Sequence, residues 1–599
     1  LQAEKDITLN GNVTDANGAL VAKTGNINAS DHDLTQSDDG QLSLVAQQGT
    51  ITANNITATN VVAKALTAKR VSVEDGSLLL TDASTVESLK LTNGTQAVIE
   101  GSLKLDGTNK TLTVGTGDDT VGGTTLSAKH IDLNDGMLIV DPDWDLASSN
   151  VAVESMGTPP TGTTPATYDD VVLNGDVGVG QNSYLALGIK DTGWLPGVVA
   201  GYTKGVGLSK DGVTAALGVY KGLTIDTGKA LLVDGSKMDT ATDPALTDAV
   251  NDAAGNSATF ADNSLLVING ADDAIAAGGA AISFETKGDL KVDAGAKLLV
   301  TDAVAGQAYT IVDNVNAPTA TGLAGWKNNG MTSTTDMISL DDAVFTPGST
   351  GAAGTVTTSA KRNDAATVFP NLSDGMANAV NDLYTGHDGA TAGDPKWDYA
   401  DVNSADMGVR FLSRATDNRF LGSDKDAAAA TIESAARIAF AGAVPQMTKM
   451  ASDAGTNAVV NRLGFANPAD GAQAMDAEGK IVDRNTTGFA LWIAPLWQSQ
   501  HGWGMEADNL DYGFNGNLGG VSLGADYTFE NAIRAGITFN IGGGYAESSG
   551  GDLNSTENRM SFWGLGAYAG WNYENFGLMA DVSYTSTWND LKQDMDSRM

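Results

Sequence analysis

A chain of 599 residues is too long for one domain, and its 72 glycines, with abundant Thr, Asn, Asp and Ala, favour turn-rich β structure over helix bundles. The formal net charge of −38 excludes nucleic acid as a partner, because no basic surface is there to displace counterions. The absence of cysteine suits an exported bacterial protein and excludes a thiol nucleophile.

The acidity reads first as a soluble, self-repelling surface, with Ca²⁺ binding as the functional alternative. The chain starts at Leu1 without an initiator Met or a signal-peptide pattern, so a leader is expected upstream. No apolar run approaches the ~20 residues of a spanning helix.

Residues 1–365 are apolar triplets punctuated by polar turns. One motif recurs: Leu78-Leu79-Leu80, Leu138-Ile139-Val140, Leu231-Leu232-Val233, Leu265-Leu266-Val267 and Leu298-Leu299-Val300. A tighter period runs from Ile51 to Val73. Ile51, Ile56, Val61, Leu66 and Val71 stand five apart, with Ala53, Ala58, Ala63, Ala68 and Val73 two after each. Small and branched residues at fixed offsets fill a thin continuous core, so this region reads as a parallel β-helix, a solenoid of stacked rungs. Globular β-sandwich modules are the alternative, but they need longer and more even alternation.

Met156 to Thr167, with Pro159, Pro160 and Pro165, is expected to be a loop leaving the stack. Residues 348–366 are rich in Gly, Ala, Thr and Ser and read as linker. Residues 366–422 form a junction, with short helices expected over 372–384 and 405–416. Residues 423–484 form a linker-helix region. An Ala-rich helix starts at Ser423 or Asp424, breaks or kinks at Pro445, and resumes from Gln446 to about Leu463. Small side chains on every face suit a helix inside a narrow barrel.

Residues 485–599 change period. Ile533, Ala535, Ile537, Phe539, Ile541, Gly543 and Tyr545 alternate with Arg534, Gly536, Thr538, Asn540, Gly542 and Gly544. This is a strand with one greasy and one wet face. Runs over 520–529, 562–573 and 576–589 repeat it, while 489–497 is apolar on both faces and carries Pro495, so its facing stays open. Tight turns are expected at Glu530-Asn531 and Glu574-Asn575, and long polar loops over 498–516 and 546–557. Runs of about 12 residues, aromatic ends and connections of alternating length point to an antiparallel transmembrane β-barrel; a soluble β-sandwich sheet is the alternative, but the mostly Gly, Ser and Thr second face suits a narrow lumen better than a sandwich core.

The segments Gly519-Gly520-Val521-Ser522-Leu523-Gly524-Ala525-Asp526-Tyr527 and Phe562-Trp563-Gly564-Leu565-Gly566-Ala567-Tyr568-Ala569-Gly570 resemble the translocator domain of autotransporters (type V secretion). The resemblance covers about the last 175 residues, helix included. It implies a barrel of about twelve strands threaded by the helix. Outer-membrane lipid and the barrel-assembly machinery are the partners it implies, with residues 1–365 as the exported passenger on the cell surface. It also gives the β-helix its right hand, and likens Tyr309-Thr310-Ile311-Val312 to the last rungs of a passenger. Five strands lack the family's terminal aromatic strand and leave an open edge, so the barrel is expected to be incomplete in this chain. Some members cut between two adjacent Asn in the linker helix. Here Asn457 and Asn461 stand four apart, which argues against that route.

No chemistry stands out. Gly520-Val521-Ser522-Leu523-Gly524 fits the nucleophile-elbow pattern but lies inside an alternating strand, not at a strand-to-helix turn, so Ser522 is expected to face the lumen. Gly115-Thr116-Gly117-Asp118-Asp119-Thr120-Val121 resembles one Ca²⁺-binding nonapeptide, yet it is a single copy without the first Gly and reads as a turn. His32, His130, His387 and His501 share no metal-ligand spacing. The expectation is no catalytic, metal or cofactor site and no enzyme. The passenger is expected to be an adhesin or surface-display protein meeting a host-cell or matrix ligand. A secreted hydrolase and a self-associating surface protein are the rivals.

Overall fold

The computed structural model describes residues 1–38, 40–115, 123–140, 149–158, 171–189, 213–239, 244–253, 255–319, 322–327, 330–349, 353–385, 407–418, 424–440, 443–463, 473–475, 487–507, 510–530, 533–550, 553–573 and 576–593. Two compact units emerge. One holds Leu1–Val368 and Asn381–Asp424, the other Phe369–Val380 and Lys425–Met599.

In the first unit, strands pair in parallel with strands one turn further along the chain. Ile51 sits beside Leu66, fifteen residues on, which is three repeats of five. The five-residue period is therefore the length of one side of a three-sided rung. Its ten apolar members, from Ile51 to Val73, are all buried.

Three ladders run through the unit. The first stacks Leu78, Ala97, Leu126, Val151, Leu185, Leu217, Leu266, Leu298 and Met331 in register. The second stacks Leu89, Leu112, Leu138, Val177, Leu231, Ala258 and Leu290. The third stacks Leu103, Ile131, Met156, Val171, Leu223, Ile282 and Val312. Every member is buried, and each large aliphatic side chain contributes roughly 1.5–3 kcal/mol by leaving water. The repeated Leu triplets belong to the first and second ladders.

Sharp corners need backbone that most residues avoid. Among the described residues, the non-glycine positions with positive φ are all Asn or Asp except Ala443, for example Asp75, Asn93, Asn134 and Asn263. These side chains tolerate the left-handed region, which explains the Asn and Asp content of the turns. The helix Ala245–Asp252 covers one outer side, with Leu246 and Val250 against Ile139 and Leu232.

The stack ends by changing direction. Ala308–Val315 pairs antiparallel with Gly354–Arg362, which also takes Ile338–Leu340 and Val344–Thr346 as antiparallel neighbours. The expected linker over 348–366 is corrected here. Gly354–Arg362 is a nine-residue strand with Val356, Thr358 and Ala360 buried on one face, so alternation overrides its small-residue composition. Tyr309 is buried with its hydroxyl accepting the Val304 N–H at 2.8 Å, and burial pushes its phenol up to about 12. Helices follow at Asp374–Thr385 and Met407–Ala415. The proline-rich excursion lies outside the described residues beyond Thr158.

The second unit holds helix α1 (Lys425–Phe440), helix α2 (Val444–Leu463) and an antiparallel sheet. Its strands are β1 (Gly488–Ala507), β2 (Leu510–Thr528), β3 (Ile533–Gly550), β4 (Leu553–Tyr573) and β5 (Phe576–Gln593). Each pairs with the next, and a short strand Gln473–Met475, not foreseen from sequence, pairs with β1. Pro445 stands in the first turn of α2, where its missing N–H costs nothing.

The long polar loops expected over 498–516 and 546–557 are corrected. The hairpins stay paired through Ala507 to Leu510 and through Gly550 to Leu553. Loss of apolar alternation marks only the end of the greasy band, since backbone pairing continues without it. The turn after β2 closes with the Phe529 N–H donating to the Ile533 carbonyl at 2.8 Å; residues 531–532 and 574–575 lie outside the described ones.

Candidate translocation channel

The two faces of the sheet have opposite chemistry. Outward stand Leu491, Ile493, Leu523, Ile537, Ile541, Leu565, Leu578 and Val582, all exposed, with Ile537 at 65% and Val582 at 72%. Aromatics flank this band: Phe489, Tyr527, Phe529 and Trp571 at one side, Trp497, Tyr545 and Trp588 at the other. A continuous apolar wall with aromatic rims is what a bilayer requires of a strand surface. No described helix is long and apolar enough to cross a membrane.

The facing of β1 is now settled. Phe489, Leu491, Ile493, Pro495 and Trp497 point out, while Ala490, Trp492, Ala494 and Leu496 are buried inside.

The inner face is packed on α2. Met447, Met450, Ala451, Ala454, Ala458, Val459 and Leu463 of the helix share one core with Trp492, Leu518, Met560 and Phe562 of the wall. The glycines of the wet strand faces make this close packing possible. A Cβ at Gly544 would stand 2.6 Å from the Met447 methyl, and one at Gly570 2.8 Å from Leu463. At Gly524 it would meet the Trp492 ring at 2.1 Å. Real side chains do not approach that closely, so these positions are sockets for helix and lumenal ring atoms.

A polar cluster closes the end of the helix. Arg462 donates from Nε and Nη2 to the two carboxylate oxygens of Asp526, at 2.7 and 2.9 Å. Arg534 donates from Nη1 to the Arg462 carbonyl at 2.9 Å and from Nε to Thr528 Oγ1 at 2.9 Å. The Tyr568 hydroxyl donates to Asp526 Oδ2 at 2.8 Å and accepts from Trp492 Nε1 at 2.8 Å. Arg462 is 1% exposed and Asp526 2%, so the pair is dry and a lone partner would be strongly destabilising. Sequence reasoning missed this cluster. The available signal was that Asp526 and Arg534 are the charged residues on the otherwise Gly, Ser, Thr and Asn faces of 520–528 and 534–544.

Among the described residues the sequence-level candidates for chemistry do not come together. Ser522 is fully buried in β2 and shares a hydrogen bond with Thr538 Oγ1 at 2.9 Å, so its partner is no general base. His130 Nδ1 lies 2.9 Å from Ser155 Oγ inside the first unit. Asp132, two residues along, instead accepts the Asn174 amide at 2.7 Å. Burial pushes the His130 imidazole below its ordinary value, against a smaller opposing pull from the Gly157 backbone and the Asp132 charge. Ser155 is fully buried too, which makes this a packed polar pair and not an exposed nucleophile. His32 lies in a polar turn, His501 is exposed, and His387 lies outside the described residues, as does the Gly115 motif beyond its first residue. Among the described residues no group of His, Asp and Glu is set to hold a metal ion.

Residues 491–598 match the family model described as the autotransporter beta-domain. No curated protein and no solved structure matches the chain. The matched segment begins inside β1 and takes in the greasy wall, the glycine sockets and the carboxylate that holds the helix. The chain thus carries the C-terminal translocator domain of an autotransporter, an outer-membrane barrel with an exported passenger.

Proposed function

We propose that the parallel solenoid is the passenger and that it serves at the cell surface as an adhesin or display protein, without enzymatic activity. The observation that carries this reading is the surface of the ladders. Among the described residues before Gly488, the exposed large apolar side chains are Leu1, Val98 and Val344 alone. The rest of the outer faces offers repeated polar groups such as Thr57, Thr67, Lys69 and Lys104, along a continuous stack. A long, regular, hydrophilic surface favours many weak polar contacts to a host-cell or matrix ligand over one concave site.

Insertion by the outer-membrane assembly machinery is part of the same proposal, because closing a sheet in lipid leaves no tolerance for unpaired edges along the way. Rung-by-rung burial of the three aliphatic stacks supplies free energy outside the membrane and biases transport outward.

Deleting residues 1–365 from the full gene should abolish binding of expressing cells to host cells or matrix proteins while the barrel still inserts. Unchanged binding in every assay would sink the adhesin reading, and labelling of the solenoid by a serine-reactive probe would replace it with a hydrolase.

A further inference from the structure

We propose that the barrel wall holds α2 at a single axial register, with Arg462, Asp526 and Arg534 as the positioning residues that set which stretch of chain comes to rest in the lumen.

The helix surface by itself is smooth. Ala451, Ala454, Gly455 and Ala458 face the wall with little shape, and apolar contact has no direction. Such a helix could slide or turn at small cost. Three features work against that.

The ion pair comes first. Its two parallel hydrogen bonds need the guanidinium in one place and one orientation. Moving the helix by one residue shifts it 1.5 Å and rotates it by 100°, which separates the pair. Moving it by one full turn keeps the face but brings Ala458 or no charge opposite Asp526, and leaves that buried carboxylate with only the Tyr568 hydroxyl and the more distant Arg534.

Arg534 comes second. It donates to the Arg462 main-chain carbonyl, in the last turn of α2 (Val444–Leu463). That bond ties the wall to the main chain of the helix and not merely to a side chain. A cation beside a helix C-terminus also meets the negative end of the macrodipole. Residues of four wall strands build this cluster: Trp492, Asp526 with Thr528, Arg534, and Tyr568.

The sockets come third. Met447 fits against Gly516 and Gly544 near one end of α2, and Leu463 fits against Gly570 at the other. Between them, a Cβ on Gly455 would stand 2.5 Å from Asn540 Nδ2. A one-turn shift puts Ala451 or Val459 where Gly455 now sits, and the Asn540 amide would have to swing aside to admit it. Shape and charge therefore specify the same register.

Because the chain has no cysteine, register can be read by disulfide trapping in the full-length protein in outer membranes. Thr448 and Thr587 hydroxyls lie 3.3 Å apart. Thr587→Cys is paired in turn with Thr448→Cys, Val444→Cys and Ser452→Cys, which sample the present register and one turn either way. The expected result is a Thr448→Cys product exceeding each of the others by about tenfold or more. Adding Arg462→Met should spread the products over the three positions while the barrel stays folded by its heat-resistant migration, and Arg462→Lys should partly restore the bias. Asp526→Asn carries the same expectation if the Met variant does not accumulate. Comparable trapping at all three positions in the parent, or an undisturbed Thr448→Cys product in folded Arg462→Met and Asp526→Asn variants, would overturn the proposal.

Discussion

The solenoid and the barrel use the same period-two alternation and turn it in opposite directions. Leu185, Leu217, Leu266 and Leu298 point inward on the first ladder, whereas Ile537, Leu565 and Val582 point outward on the barrel. Among the described residues, three large apolar side chains are exposed before Gly488 and seventeen after it. The difference teaches that alternation defines two faces without saying which is the core. What decides is the company each face keeps. On the ladders the apolar positions stack directly on one another at every turn. On the barrel they end in aromatics, and the opposite face of 520–528 and 534–544 is mostly Gly, Ser, Thr and Asn.

The sharpest break of this comparison is a charge placed on each apolar face. Leu217→Asp buries a carboxylate with no partner between Leu185 and Leu266, at a cost of about 5 kcal/mol or more. The solenoid should lose its protease resistance from that rung outward, with the barrel still heat-resistant. Survival of both would mean that the rung is wet. Ile537→Arg acts on the other unit, where a charge at mid-bilayer costs roughly 2–4 kcal/mol. It should lower the barrel's refolding stability in lipid. Thr67→Arg is the control on an exposed ladder position and should stay within about 0.5 kcal/mol. Equal effects of the two Arg variants would erase the distinction between lipid-facing and water-facing strands.

Much of this was legible from residues alone, and the misses share a cause. The ten apolar positions from Ile51 to Val73 announce a thin core because each repeat has the same offset. The greasy faces of 520–529, 533–545 and 562–571 follow from one residue in two. Residues 489–497 stayed ambiguous because Trp492 and Leu496 are apolar yet lumenal, packed on a helix distant in sequence. The place of Trp492 is written across the hairpin, in Gly524, and not in its own strand. Residues 354–362 were hidden by small-residue composition, although Val356, Thr358 and Ala360 alternate. Arg462 and Asp526 are 64 apart, a separation at which no local pattern pairs two charges.

The smallest expected effect tests the solenoid's own interior. His130 is 2% exposed and its imidazole titrates below its ordinary value of 6.5, chiefly through burial. Well above pH 6.5, from about pH 7.5 upward, the folded and unfolded chains both hold it neutral, and it contributes almost no pH dependence. Below that range the unfolded chain takes up a proton that the folded chain refuses. Stability therefore falls as pH drops from 6.5 toward the lowered folded value, and not beyond it. The acidic background complicates a single curve. Asp226, raised by burial and by Glu285, has the opposite sign: its stabilisation is complete below its ordinary 3.8 and is lost as pH rises through its folded value. These carboxylates titrate alike in the parent and in His130→Gln, so the difference between the two isolates the histidine. Hydrogen exchange on solenoid peptides of the full chain should show a parent-minus-variant stability that is almost flat from pH 8 to about 7.5 and declines between pH 6.5 and 5. A difference that stays constant over the whole range would mean that His130 meets solvent in the folded rung, and that the interior of the solenoid at Ser155 is wetter than its packing shows.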